Sequence, residues 1–134
     1  MLAAGDQIEL KVTPDAYLTV RYAGASLDFN PIHIDEQFAR QVGLPGRVLH
    51  GMWTMAQIAR ALTAAAGSPE ALQSLSVQFR GAGRIGEQIV VSGTVRELQG
   101  ELAIVSSQVT QGGRRIIRNA VAELRISEQP PRHS

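Results

Sequence analysis

The longest helical pattern in this chain is GMWTMAQIARALTAAA, residues 51–66. Its few polar side chains fall three residues apart: Thr54, Gln57, Arg60 and Thr63. The remaining helix surface is apolar, which predicts a helix buried over most of its circumference. The segment GSP at 67–69 is a typical stop signal and ends the helix.

Strand patterns follow this helix. Leu75 to Phe79 alternates apolar and polar residues with a period of two. Three further strands are rich in valine and isoleucine: Ile89 to Val95, Leu102 to Val109 and Ile116 to Ile126. The pair Gly112-Gly113 suits a tight hairpin turn between the last two. Since a mostly apolar helix can cover the apolar face of a sheet, we predict an α+β domain with a curved antiparallel sheet around the long helix.

The segment before the long helix contains shorter elements. A first strand is predicted over Ile8 to Val12, and a helix from Thr13-Pro14-Asp15 to about Ala23. Residues 26–35 contain a proline and several polar side chains, which indicates a structured loop. Asp35 can then cap a short helix that Gly43 closes. We assign residues 1–127 to one domain and 128–134 to a flexible polar tail.

Composition excludes several classes of protein. With 13 basic and 12 acidic residues among 134, the net charge is +1, which does not favour a nucleic-acid-binding protein. The chain has no cysteine, so it can form neither disulfides nor thiolates. No apolar stretch approaches the roughly 18 residues that would span a bilayer, and the amino terminus lacks the pattern of a signal peptide. We therefore expect a cytoplasmic location.

Two side chains before the long helix could perform acid–base chemistry. Asp28 and His33 lie five positions apart in the loop that Pro31 stiffens. A carboxylate and an imidazole on one rigid loop can hold a water molecule and exchange protons near neutral pH. From spacing alone, a capping aspartate beside a surface histidine remains the alternative.

The start of the long helix is a second candidate. Gly51 opens a helix whose first N–H groups lack partners and carry the positive end of the helix dipole, which suits a developing oxyanion. His50-Gly51 could equally be a tight start to a buried helix. The chain has three histidines, at 33, 50 and 133, which makes a metal site a weak interpretation, and we predict none.

These segments resemble a known family. Residues 22–35, YAGASLDFNPIHID, followed by His50-Gly51-Met52, resemble the MaoC-like (R)-specific enoyl-CoA hydratases and 3-hydroxyacyl dehydratases. The family's pattern is Asp-x-Asn-Pro-x-His with His-Gly-Met about 20 residues later, and both parts occur here in order. The resemblance extends from about Ile8 to Ile126.

The resemblance implies a hotdog fold and a set of roles. Asp28 and His33 correspond to the catalytic pair, and Gly51 to the backbone donor for the thioester oxygen. Asn30, His50 and Met52 are expected to contact substrate, with Asn30 also supporting the loop. The resemblance implies no cofactor, because a CoA or acyl-carrier thioester is itself the substrate. It further implies a homodimer, with a higher oligomer or a heterodimer as alternatives.

Some points depart from the family or stay open. Leu27 stands where the family usually has glycine, which could narrow the pocket or shift Asp28. A hotdog thioesterase and a non-catalytic acyl-binding subunit are the alternative functions. Acyl length, carrier and direction of reaction are not encoded in any motif that we identify.

Overall fold

The computed structural model describes residues 1–126, so the predicted tail from Glu128 onward lies outside the described residues. The elements are β1 (Gln7–Val12), α1 (Leu18–Ser26), α2 (Pro31–Ile34), α3 (Glu36–Gln41), α4 (Gly51–Ala66), a 3₁₀ turn (Pro69–Ala71), β2 (Leu72–Phe79), β3 (Ile89–Gln99), β4 (Leu102–Gln111) and β5 (Arg114–Arg125). None of the helices in this part of the chain combines the length and apolar composition needed to cross a bilayer.

The five strands form one antiparallel sheet in the order β1-β3-β4-β5-β2. Burial alternates residue by residue along β4, so one face of the sheet is apolar and enclosed. Helix α4 lies on that face and packs against all five strands. The predicted α+β arrangement, a sheet around one long helix, is confirmed.

The core lies between α4 and the sheet. Ile58 and Leu62 on the helix are fully buried, as are Ile89, Val105 and Leu124 on the strands. Each such side chain contributes about 1.5–3 kcal/mol when it leaves water. This enclosed layer is the support on which the loops before α4 are held.

The polar stripe predicted on α4 does not match the exposed face. Six positions of α4 are exposed, and four of them lie at intervals of four residues: Met52, Ala56, Arg60 and Ala64, with Gly51 and Ala65 beside them. Thr54 and Gln57 are buried instead, and each donates a hydrogen bond to the backbone carbonyl four residues earlier, at 3.3 Å and 3.2 Å. A polar side chain that is paired with the backbone in this way can be buried, so polarity alone did not predict which face of α4 is exposed.

Two predictions about the segment before α4 are wrong. Helix α1 begins only at Leu18, because Asp15 accepts a hydrogen bond from the Tyr17 N–H in a turn that precedes the helix. It ends at Ser26. Residues 31–34, predicted as loop, form the single helical turn α2. The predicted helix after Asp35 is confirmed as α3, with the Asp35 carboxylate accepting from Phe38 N–H at 3.0 Å.

Candidate active site

Asp28 lies in the loop between α1 and α2. The Asn30 N–H donates to its Oδ1 at 3.3 Å, and its own N–H donates to Ser26 Oγ at 3.2 Å. The side chain is 54% exposed. One carboxylate oxygen is therefore held by the loop, while the other, Oδ2, faces His33.

His33 lies on α2 with only 7% of its surface exposed, so it is not a surface histidine. Its Nδ1 lies 2.8 Å from the backbone oxygen of Val48. A carbonyl can only accept, so Nδ1 carries the hydrogen, and the neutral ring presents the lone pair of Nε2. Nε2 lies 3.8 Å from Asp28 Oδ2, too far for a direct hydrogen bond. A water molecule at about 2.8 Å from each atom can bridge the Asp28/His33 pair.

Asn30 shapes the helical turn that carries His33. Its side-chain oxygen accepts from Ile32 N–H at 3.2 Å, which caps the amino end of α2, and Pro31 occupies the first helical position. This contact agrees with the loop-supporting role expected for Asn30. Its role in binding substrate remains a prediction.

His50 lies in an enclosed position next to His33. Its ring is 3% exposed, stacks on His33 with centroids 3.7 Å apart, and meets Tyr22 edge-on at 4.8 Å. Its Nε2 lies 3.0 Å from the backbone oxygen of Asp28. The ring is surrounded by protein, and the predicted contact between His50 and substrate stays a prediction.

Gly51 is the first residue of α4, and its helix has no side-chain cap and no acidic residue in the first turn. A Cβ on Gly51 would lie 3.1 Å from Cε1 of Phe79, so the Phe79 ring packs closely against the helix end and a side chain at position 51 would press on it. Met52 follows with 62% exposure. Since His50 stacks on His33, the amino end of α4 lies beside the Asp28/His33 pair.

The segment that contains Val48 is tied to the chain around Arg84 and Gln111 by contacts that we did not predict. Val48 forms a bridge with Arg84, and Leu49 N–H donates to Gly83 O at 2.8 Å. Buried Gln111 accepts from Arg84 N–H at 2.7 Å and donates to the carbonyl oxygens of Arg84 and Glu87 at 2.8 Å. The sequence feature that could have indicated these contacts is the amide of Gln111, directly before the Gly112-Gly113 turn.

The turn that leads to Val48 is held from α3. The N–H of Arg47 donates to Glu36 Oε2 at 3.1 Å. This bond, together with the charges of Arg40 and Arg47, holds the pKa of Glu36 below its usual value. Because Glu36 is exposed, the contact orients the turn more than it stabilises the fold.

Asp28, His33 and His50 form a cluster whose possible ligand atoms lie within 4.8 Å of one another. The geometry does not fit a metal ion. Imidazole lone pairs lie in the ring plane, and two rings stacked 3.7 Å apart at 18° cannot both direct a lone pair at one ion. In addition, His50 Nε2 and His33 Nδ1 already face backbone carbonyls.

Leu27 caps the carboxyl end of α1 in a left-handed conformation with φ 63° and ψ 18°, and it is 78% exposed. This backbone explains why glycine suits the position.

Leu27→Gly should raise the free energy of unfolding by about 1 kcal/mol, since the left-handed region costs an L residue about 1–2 kcal/mol and glycine's greater freedom when unfolded offsets part of the gain. Urea denaturation measures this change. Leu98→Gly, in the extended strand β3, is the matched control and should lower stability; a loss at both positions would contradict the strain argument.

Comparison with known proteins agrees with this arrangement. The family model described as "MaoC like domain" matches residues 4–114. An (R)-specific enoyl-CoA hydratase of Rhodospirillum rubrum is 32% identical over 97 residues, covering 72% of this chain and 65% of that protein. The structure of the (R)-hydratase from A. caviae superposes with a TM-score of 0.86 at 21% identity, covering 94% of this chain and 98% of the other, which confirms the hotdog fold.

Some matched relatives are much longer. A fatty acid synthase beta subunit of Emericella nidulans is 33% identical over 133 residues, covering 96% of this chain and 6% of the synthase. A corresponding subunit from Aspergillus oryzae is matched over 4% of its length. The chain thus spans a small fraction of the first relatives that it matches.

Proposed function

Because the chain belongs to the MaoC-like domain family, we propose that it reversibly adds water to trans-2-enoyl thioesters and yields (R)-3-hydroxyacyl thioesters. One observation carries the proposal: Asp28 Oδ2 and His33 Nε2 lie 3.8 Å apart, beside the amino end of α4. This spacing lets both atoms contact one water molecule. The identity to an (R)-specific hydratase over 97 residues supports the same chemistry.

In this mechanism the Asp28/His33 pair positions the water and moves its proton. The water oxygen bonds to C3 as the π bond between C2 and C3 breaks, and a proton leaves the water for the pair. That proton is then delivered to C2. Atoms and charge balance with water and thioester alone, so the reaction consumes no oxidant or reductant.

Negative charge develops on the thioester oxygen when water attacks C3. The N–H of Gly51, at the positive end of the α4 dipole, is the proposed donor to that oxygen. Losing one donor of this kind typically costs about 10²–10³ in rate.

We also propose that the protein acts as a homodimer. Strand β2 lies at one edge of the sheet and ends at Phe79, whose ring faces Gly51. Three apolar side chains near the Asp28/His33 pair or Gly51 are more than half exposed: Leu27, Phe29 and Met52. A second copy joined along β2 would cover part of this apolar surface and bring the thioester site close to the subunit junction.

A panel of enoyl-CoA thioesters of increasing chain length tests the function. We expect loss of enoyl absorbance, no release of free thiol, and a 3-hydroxyacyl product of R configuration. Release of thiol would instead identify a thioesterase. Inactivity of the chain alone, with activity on adding a homologous subunit, would indicate an acyl-binding partner. The same panel on acyl carrier protein determines the preferred carrier.

A further inference from the structure

We propose that His50 is a positioning residue that holds Asp28 in register with His33. This inference rests on the proposed hydratase function for its kinetic part. It begins from the contacts of the ring, which makes no capping hydrogen bond to the helix that it precedes. A histidine at this point of the chain therefore serves a contact elsewhere.

That contact is the backbone of Asp28. His50 Nε2 lies 3.0 Å from Asp28 O, and a carbonyl oxygen only accepts, so Nε2 carries the hydrogen. In the neutral ring Nδ1 is then an acceptor. It is buried and has no hydrogen-bond partner among residues 1–126. Burying Nδ1 without a hydrogen-bond partner costs free energy. We infer that the hydrogen bond donated by Nε2 is the contact that offsets this cost.

The loop that carries Asp28 depends on this bond. The other hydrogen bonds of residues 27–30 within the described part of the chain are local and join atoms no more than three positions apart. The bond from His50 spans 22 positions and connects the loop to the start of α4. It therefore sets the distance between Asp28 and the rigid core.

The same ring supports His33. The two imidazoles are stacked at 3.7 Å, while Tyr22 packs edge-on against the other side of His50. Stacking on His50 therefore fixes the plane of the His33 ring, and the hydrogen bond to Val48 O fixes the direction of its Nδ1 within that plane. One side chain contacts both members of the Asp28/His33 pair without access to substrate.

Three substitutions separate the hydrogen bond from the stack. In His50→Gln the amide nitrogen stands at the same bond count from Cβ as Nε2, so the donor to Asp28 O is kept. His50→Asn carries the same amide one carbon shorter and cannot reach. His50→Phe keeps an aromatic ring on His33 but has no donor.

We expect His50→Asn and His50→Phe to lower kcat by about 10²-fold, the usual cost of a misplacement near 1 Å, with KM unchanged. His50→Gln should stay within about tenfold of the parent kcat. A loss expressed only in KM would identify His50 as a substrate contact and overturn the proposal. Parental kcat in His50→Phe, or equal losses in Gln and Phe, would also overturn it.

A second measurement does not require activity. Amide hydrogen exchange of Asp28 to Asn30 should be faster in His50→Phe and His50→Asn than in the parent protein, and near the parent rate in His50→Gln. If the parent hydrates no enoyl thioester, the proposed function fails while exchange still decides the positioning role. Unchanged exchange in all three variants would contradict that role.

Discussion

Asp28→Asn is expected to lower kcat for enoyl-thioester hydration by about 10³-fold, within the usual contribution of a positioned acid–base group. Asparagine keeps an oxygen that can accept from Asn30 N–H, so the loop should retain its shape. What is lost is the charge and basicity of Oδ2, which faces His33 Nε2 at 3.8 Å. Loss of enoyl absorbance under saturating substrate measures the effect.

Asp35→Asn is the matched control for this substitution. Asp35 lies in the same motif, but its carboxylate caps α3 through Phe38 N–H, and asparagine caps a helix about as well as aspartate. Activity should therefore stay near the parent value. If Asp28→Asn also hydrates at the parent rate, Asp28 does not have the role that we assign to it.

His33→Asn should lower kcat by a similar factor, about 10²–10⁴. The asparagine amide nitrogen replaces Nδ1 and can still donate to Val48 O, which lies 2.8 Å from the imidazole. No basic nitrogen then remains opposite Asp28. Calorimetry should show that the variant still binds a saturated acyl thioester. Such binding would mean that the variant is folded and that its site is still formed.

The two substitutions combined test whether the residues act on one water molecule. Groups that work as a unit show grossly non-additive losses, so Asp28→Asn/His33→Asn should be little slower than either single variant. A double variant whose loss equals the product of the two single losses would mean that Asp28 and His33 act independently. The shared water molecule would then have to be abandoned.

Helix α4 shows what local signals can establish. Its observed bounds, Gly51 and Ala66, coincide with the prediction. The signals that set them lie in the helix itself or directly after it: the apolar composition of the helix and the left-handed Gly67 (φ 82°). The cores of the strands were also recognised. The predicted carboxyl ends of β1 and β2 match the structure, whereas β3 continues to Gln99 and β4 to Gln111 through pairing with each other.

The helical turn α2 and the bounds of α1 escaped prediction because their signals span too few residues. Helix α2 has four residues, fewer than a periodic pattern needs, although Asn30-Pro31 is a capping signal in retrospect. Helix α1 extends past Gly24, because Leu27 rather than glycine adopts the left-handed conformation that ends it. Asp28 lies in a loop as predicted, whereas His33 lies on the helical turn α2.

By itself, the sequence determined the α+β class, the long central helix, and the candidate residues Asp28, His33 and Gly51, because periodicity, capping and motif spacing are local quantities. Only the tertiary structure decided that Oδ2 and Nε2 face each other, that Val48 O sets the tautomer of His33, and that His50 is buried with its Nε2 at the backbone oxygen of Asp28. These facts depend on atoms that are 5 to 22 positions apart in the chain. Their separation in space is set by how the loops pack on the helix and sheet, which no local pattern records.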